Sequence, residues 1–141
     1  MTAIDFYSHV ADPLRLAAKL VARAVEQHGS ARVLTADAAA TAALDRILWQ
    51  EPQVSFLPHC RLGHPEANET PVLIDDTREH AGPAAVLINL HPEPAPFFSR
   101  FERLIEIVGV QEQELATGRA RFRFYRERGY AIRNHDRAGR D

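Results

Sequence analysis

Cysteine and long apolar runs are scarce in this chain of 141 residues. Its single cysteine, Cys60, excludes an internal disulfide framework and favours a reducing, cytoplasmic setting. No apolar run is long enough to cross a membrane, and the short, polar start at residues 1–5 does not predict a secretory signal. The chain is long enough to bury a core. The sequence therefore predicts one α/β domain over residues 1–134 and a basic, flexible tail over 135–141.

Glycine is missing from the turns where a nucleotide-binding protein needs it. The first predicted strand runs into residues 9–13 and the second into Ala36 and Asp37, and neither turn contains glycine. Dinucleotide and P-loop sites use such glycines to bring backbone N–H groups close to phosphate. No nucleophile elbow and no Ser/His/Asp set in a recognisable context is present either. The sequence therefore predicts a protein that is not an enzyme and has no cofactor.

A metal site is suggested only by His59, Cys60 and His64, which lie within six residues. Their donor atoms suit zinc, but the spacing matches no usual structural zinc pattern. The favoured interpretation is a loop with two polar histidines and a tucked thiol. Asp75 and Asp76 are also poor partners for acid–base work, because neighbours on a strand point to opposite faces.

Apolar periodicity and turn residues predict alternating strands and helices. Strands are predicted over residues 4–9, 32–35, 72–74, 85–90 and 104–108, with an edge strand over 130–132. Helices are predicted over residues 12–28, 37–49 and 111–128, with a helical turn over 97–101. Prolines interrupt residues 50–70, which predicts an irregular loop there. The order is typical of a three-layer α/β fold with a mostly parallel sheet, Rossmann-like without a nucleotide-binding glycine loop.

Positive charge is concentrated at one end of the chain. Residues 119–141 contain eight arginines and three acidic residues, net +5, whereas residues 1–118 are net −7. Such a separation often marks the surface where an anionic partner binds. Arginine suits this task because its planar guanidinium binds carboxylate or phosphate through two parallel hydrogen bonds and also stacks on rings.

One face of the last predicted helix combines arginine with an aromatic ring. At about 100° per residue, an arc of roughly 100° contains Arg119, Phe122, Arg123 and Arg126. A neighbouring face, predicted to contact the core, contains Ala116, Ala120 and Phe124. Three interpretations stay open for the arc. It is a pocket for a peptide that ends in a carboxylate beside an apolar side chain, a stacking surface for single-stranded nucleic acid, or a solvated helix face with Phe122 in the core.

The single tryptophan, Trp49, lies where the second predicted helix ends. Together with Phe56 and Pro58 it predicts an exposed apolar patch of the kind that anchors protein interfaces. The alternative is a loop folded back over the core with Trp49 beneath it. The sequence does not decide between the two.

Four stretches of this sequence, in order along the chain, resemble the chi subunit of bacterial DNA polymerase III holoenzyme. They are DFY at 5–7, LDRILW at 44–49, SFLPH at 55–59 and RARFRFYRERGY at 119–130. The resemblance runs across nearly the whole chain and implies a non-enzymatic α/β adaptor of the clamp-loader complex. It implies two direct partners, the psi subunit and the acidic C-terminal tail of single-stranded DNA-binding protein, which ends in a phenylalanine carboxylate. The clamp loader and DNA would be reached mainly through these partners, and no membrane is implied.

The resemblance also assigns residues to two sites. Arg119, Phe122 and Arg123 match the tail-binding pocket, with Val108 as an apolar wall. Phe122 stands where tyrosine can occur, so a hydroxyl hydrogen bond is lost while the apolar floor is kept. Arg123 stands where lysine can occur, which keeps the charge and changes its geometry.

The second site implied by the resemblance is the surface that faces psi. Trp49, Phe56 and Pro58 match it by position. The competing function is a direct single-stranded nucleic-acid-binding α/β module, which would bind plain oligonucleotide with a steep dependence on salt.

Overall fold

The structure, a computed structural model, describes residues 1–50, 58–61, 70–78 and 84–138. These residues form seven strands, namely β1 (Ala3–Val10), β2 (Ala31–Leu34), β3 (His59–Arg61), β4 (Val72–Asp75), β5 (Val86–Asn89), β6 (Arg103–Gly109) and β7 (Ile132–Asp136). They also form the helices α1 (Pro13–His28), α2 (Ala38–Gln50) and α3 (Glu112–Glu127). A short 3-10 helix, Phe98–Arg100, lies between β5 and β6.

The described strands build one sheet in the order β3-β4-β2-β5-β6-β1-β7. Every pairing in it is parallel. The first strand therefore lies between β6 and β7, so the two ends of the chain meet in one half of the sheet. The predicted three-layer α/β class is confirmed.

Alternate residues of each strand serve two separate cores. Val33 and Ile107 join the core beneath α1 and α2. Their neighbours Leu34 and Val108 join the core that holds α3 and the aromatic segment around Phe98. Because helices cover both faces of the sheet, the central strands are apolar on both sides, as parallel sheets require.

Capping residues set the ends of the first two helices. The Asp12 carboxylate accepts the N–H of Arg15 at 3.2 Å, and α1 ends at Gly29, whose φ of 90° suits a residue without a side chain. The Asp37 carboxylate accepts the N–H of Ala40 at 2.8 Å at the start of α2. Both predicted helix starts are confirmed.

Two predicted segments need correction. Within the predicted loop 50–70, His59–Arg61 form β3, which pairs with β4. The last strand is Ile132–Asp136 rather than 130–132. Both strands are short or polar, so no alternating pattern marks them. Each forms because its backbone pairs with a strand elsewhere in the chain, and such pairing leaves no local pattern in the sequence.

The final strand also bears on the predicted tail. β7 includes residues 135 and 136, and the N–H of Arg137 donates to the Ser8 carbonyl at 2.9 Å. Residues 139–141 lie outside the described residues, and the division into a domain and a tail stays a prediction. In the described part of the chain, no helix has the length and apolar character needed to span a membrane.

Candidate functional site

The side of α3 that faces the sheet is charged at its centre. Arg121 is 3% exposed and lies against Glu106 of β6, which is fully buried. The Arg121 Nε donates to Glu106 Oε1 at 2.8 Å, and the Tyr125 hydroxyl donates to Oε2. Asn89 Nδ2 lies 3.1 and 3.0 Å from the same two oxygens. Side chains from β5, β6 and α3 thus form one buried polar cluster, whose members are satisfied by one another.

Burial raises the pKa of the Glu106 carboxyl. The charge of Arg121 and the hydrogen bonds from Tyr125 and Asn89 oppose this shift by favouring the ionised form. Burial also raises the pKa of the Tyr125 hydroxyl, and the Glu106 carboxylate raises it further. Tyr125 therefore keeps its proton and acts as a donor.

Arg121 also ties α3 to its surroundings through the backbone. Its Nη1 donates to the Pro92 carbonyl at 3.0 Å and its Nη2 to the Ile107 carbonyl at 3.4 Å. The side chain thus fastens α3 both to β6 and to the segment after β5. Such a bonded guanidinium fixes the rotation of the helix about its own axis.

Of the predicted core face of α3, only Phe124 contacts the core, where it is half-buried. Ala116 and Ala120 are exposed, and the buried positions are Gly118, Arg121 and Tyr125. Burial of an arginine is favourable only when its charge is paired, and the partner of Arg121 lies 15 residues earlier in the chain. One signal of this buried pair was available in the sequence, namely the single glutamate that interrupts the apolar run LIEIV of β6.

Because Arg121 and Tyr125 contact the sheet, the predicted arginine–aromatic face of α3 points outward. Arg119, Arg123 and Arg126 are exposed, and Phe122 is half-buried. An open cavity of about 350 Å³ lies beside this face, between α3 and strands β1, β6 and β7. The cavity is lined by Phe6, Ser8, His9, Val108, Leu115, Gly118, Arg119, Phe122 and Asn134.

The cavity gathers three of the four residues predicted for the tail-binding pocket. Arg119, Phe122 and Val108 line it, and Arg123 lies one helical turn beyond Arg119 without lining it. The sequence did not single out His9, which reaches the cavity from β1. The role of these residues stays a prediction.

Close packing of α3 on the sheet gives the cavity an apolar floor. The Phe122 ring meets Phe6 of β1 edge to face, with centroids 5.2 Å apart. A Cβ at Gly118 would lie 2.6 Å from Val108 Cγ1, so only glycine allows this approach of helix and strand. An apolar floor beside an arginine fits a ligand that carries both an apolar group and a negative charge.

Comparison with known proteins agrees with the resemblance in the sequence. A family model described as DNA polymerase III chi subunit, HolC, matches residues 1–133. The chain belongs to the DNA polymerase III chi subunit family. DNA polymerase III subunit chi of Pseudomonas aeruginosa is 34% identical over 139 residues, which cover 96% of each chain. The resemblance is confirmed, and membership of the chi family gives this chain a role as a DNA replication subunit associated with polymerase III.

In this chi-family chain the two described residues of the predicted psi-facing patch, Trp49 and Pro58, lie beside β3, whereas β1 and β7 at the other edge of the sheet line the cavity. Trp49 is 57% exposed at the end of α2, and its ring lies 4.3 Å from the ring of the buried His59 in β3. Pro58, next to β3, is exposed. Phe56 lies outside the described residues. A surface patch requires an exposed Trp49, and the role of this residue in psi binding stays a prediction.

The residues considered for metal binding do not assemble in the described part of this chi-family chain. His59 and Cys60 lie on β3, and His64 lies outside the described residues. No group of three His, Cys, Asp or Glu side chains among the residues that the structure describes is arranged to hold a metal ion. Asp75 instead closes a local turn, accepting the N–H of Thr77 at 3.1 Å.

Proposed function

We propose that this chain is a non-catalytic adaptor that binds the psi subunit at one surface and the acidic tail of single-stranded DNA-binding protein at another. The observation that carries the proposal is the cavity beside α3, where the exposed Arg119 meets the apolar floor formed by Phe122 and Val108. Arg123 adds a second cation one turn away. A peptide that ends in a phenylalanine carboxylate presents the complementary pair of groups.

The expected affinity follows from the groups that the cavity offers. Burying a phenylalanine side chain contributes roughly 1.5–3 kcal/mol, and a hydrogen bond to a charged group contributes about 1.5–3 kcal/mol. Ordering a flexible tail and losing its free motion cost several kcal/mol. The net affinity is therefore on the order of micromolar. Binding should weaken with salt, because the arginines are exposed and their charge is screened.

The two surfaces are far enough apart to be used at once. Trp49 contacts β3 at one edge of the sheet, whereas the cavity is lined by β1 and β7 at the other. The sheet order separates β3 from β1 by five strand steps, which is about 24 Å at about 4.8 Å per step. This separation supports an adaptor that holds both partners together.

Replacing Trp49 by alanine is expected to weaken psi binding by about 2 kcal/mol or more, because exposed tryptophans commonly anchor interfaces. The affinity for a tail peptide should not change. Both are measured by titrating psi and a fluorescent tail peptide against the same protein, with a melting curve to check the fold. Val110→Ala is the matched control, since Val110 is also a large exposed apolar side chain. Equal psi affinity for wild type and Trp49→Ala would contradict the assignment of the patch.

The pure protein is expected to hydrolyse no nucleotide. The turns after the first two strands have no glycine, and the buried carboxylate of Glu106 already accepts hydrogen bonds from Arg121, Tyr125 and Asn89. Release of phosphate from ATP and GTP is the measurement. Hydrolysis above background that a point substitution in this chain abolishes would refute the non-catalytic role.

A further inference from the structure

His9 interrupts the regular course of β1. Its φ is 56°, and it is the one residue other than glycine with a positive φ in the described part of the chain. The pairing of β1 with β6 shifts register between Tyr7 and Val10, at the same place. Irregularities of this kind turn a side chain away from its normal alternation and are frequent beside functional sites. Histidine is among the residues that tolerate this backbone region better than most.

The residue at this irregularity, His9, is one of those that line the cavity beside α3. His9 lines that cavity from the strand side, while Arg119 lines it from the helix side. The ring is held by β7, where its Nδ1 lies 3.0 Å from Asp136 Oδ1. Its side chain is 49% exposed, so a ligand in the cavity can reach it.

The contact with Asp136 determines what the other ring nitrogen can do. A carboxylate only accepts hydrogen bonds, so Nδ1 carries the hydrogen in this pair. Nε2 then carries a hydrogen only when the ring is the doubly protonated imidazolium. A second carboxylate placed at Nε2 would favour that cation and receive a hydrogen bond from it.

We propose that His9 is a further residue that contacts the acidic tail. Its Nε2 donates to a side-chain carboxylate of the tail, while Arg119 and Arg123 bind the terminal carboxylate, and the ring takes up a proton as the tail binds. This assignment rests on the proposed tail-binding function and adds a residue that selects for acidic side chains near the terminal phenylalanine.

Charged side chains of both signs lie around His9. Asp136 of β7 contacts its Nδ1, and Arg119 of α3 lines the same cavity. Among the described residues that line the cavity, β6 contributes only the apolar Val108. The added negative charge of a bound tail shifts the balance toward the imidazolium.

The test is the pH dependence of tail binding by the full chain. A fluorescent acidic peptide ending in phenylalanine is titrated at about pH 6 and pH 8 at constant ionic strength, where its carboxylates stay ionised and histidine changes charge. Wild type should bind up to about fivefold more tightly at the lower pH, as for an exposed ion pair. His9→Asn, which tolerates positive φ, should lose that difference and match wild type at the higher pH. His28→Asn, at the exposed end of α1, should behave as wild type.

The outcomes distinguish a failure of the role of His9 from a failure of the tail site. A pH dependence that is the same in His9→Asn and wild type overturns the role of His9, while the loss of binding in Arg123→Glu would still support the tail site. Absence of peptide binding by wild type at both pH values overturns the tail site and the role of His9 together. If His9→Asn does not fold, His9→Gly replaces it, because glycine accepts the same φ without strain.

Discussion

Charge reversal at Arg119 or Arg123 is expected to abolish measurable binding of the acidic tail and to leave psi binding unchanged. Arg119 lines the cavity directly and Arg123 lies one turn further along α3. Each arginine offers a charge-assisted hydrogen bond to a carboxylate, and a glutamate in its place would repel that carboxylate. Losing one such bond costs about 1.5–3 kcal/mol, which is roughly a 10- to 100-fold loss of affinity. From a micromolar start, little binding would remain.

Peptide titration measures this effect, and two comparisons isolate it. Arg23→Glu makes the same charge change on α1, which packs on the opposite face of the sheet, and should cost little. A peptide without its final phenylalanine should bind poorly to wild type, because the apolar floor is then unused. Equal affinity in Arg119→Glu, Arg123→Glu and wild type would contradict the tail site.

The same titration separates the competing function. If plain single-stranded DNA displaces the peptide and binds more tightly, with a steep dependence on salt, the arginines of α3 serve nucleic acid instead. The proposed site predicts weak oligonucleotide binding, since the aromatic ring beside Arg119 is half-buried against Phe6 and offers little face for base stacking.

Arg121→Met is expected to destabilise the fold by about 3–5 kcal/mol, the usual cost of removing one partner of a buried ion pair. Glu106 would keep Tyr125 and Asn89 as donors but lose the cation that balances its charge. The carbonyls of Pro92 and Ile107 would lose their donor as well. Because Arg121 fastens α3 to the sheet, tail binding should also weaken, although Arg121 carries no predicted contact to the peptide.

Urea unfolding followed by circular dichroism measures this change. Arg119→Met, two residues earlier on the exposed side of α3, is the matched control and should stay within about 0.5 kcal/mol of wild type. Adding Glu106→Gln to Arg121→Met should recover part of the loss, since no buried charge is then left unpaired. A free energy of unfolding for Arg121→Met equal to that of Arg119→Met would show that the buried pair does not stabilise the fold.

The sequence by itself determined the features that depend on neighbouring residues. Asp12, Gly29 and Asp37 set helix ends because a capping side chain or a left-handed backbone acts within a few residues. Alternating apolar runs and helical periods determined the α/β class, since each element must bury one face or both. The arginine–aromatic face of α3 was visible for the same reason, because helical spacing fixes which side chains lie on one side.

The tertiary structure alone decided how those elements face one another. The direction in which α3 points depends on Glu106 meeting Arg121, and a buried arginine is favourable only when that distant partner is present. β3 exists because β4 offers a free edge, and β7 because β1 does. The position of His9 on the cavity depends on a local break in β1 and on Asp136, 127 residues later. Each of these depends on contacts between residues far apart in sequence, whose energies no local pattern contains.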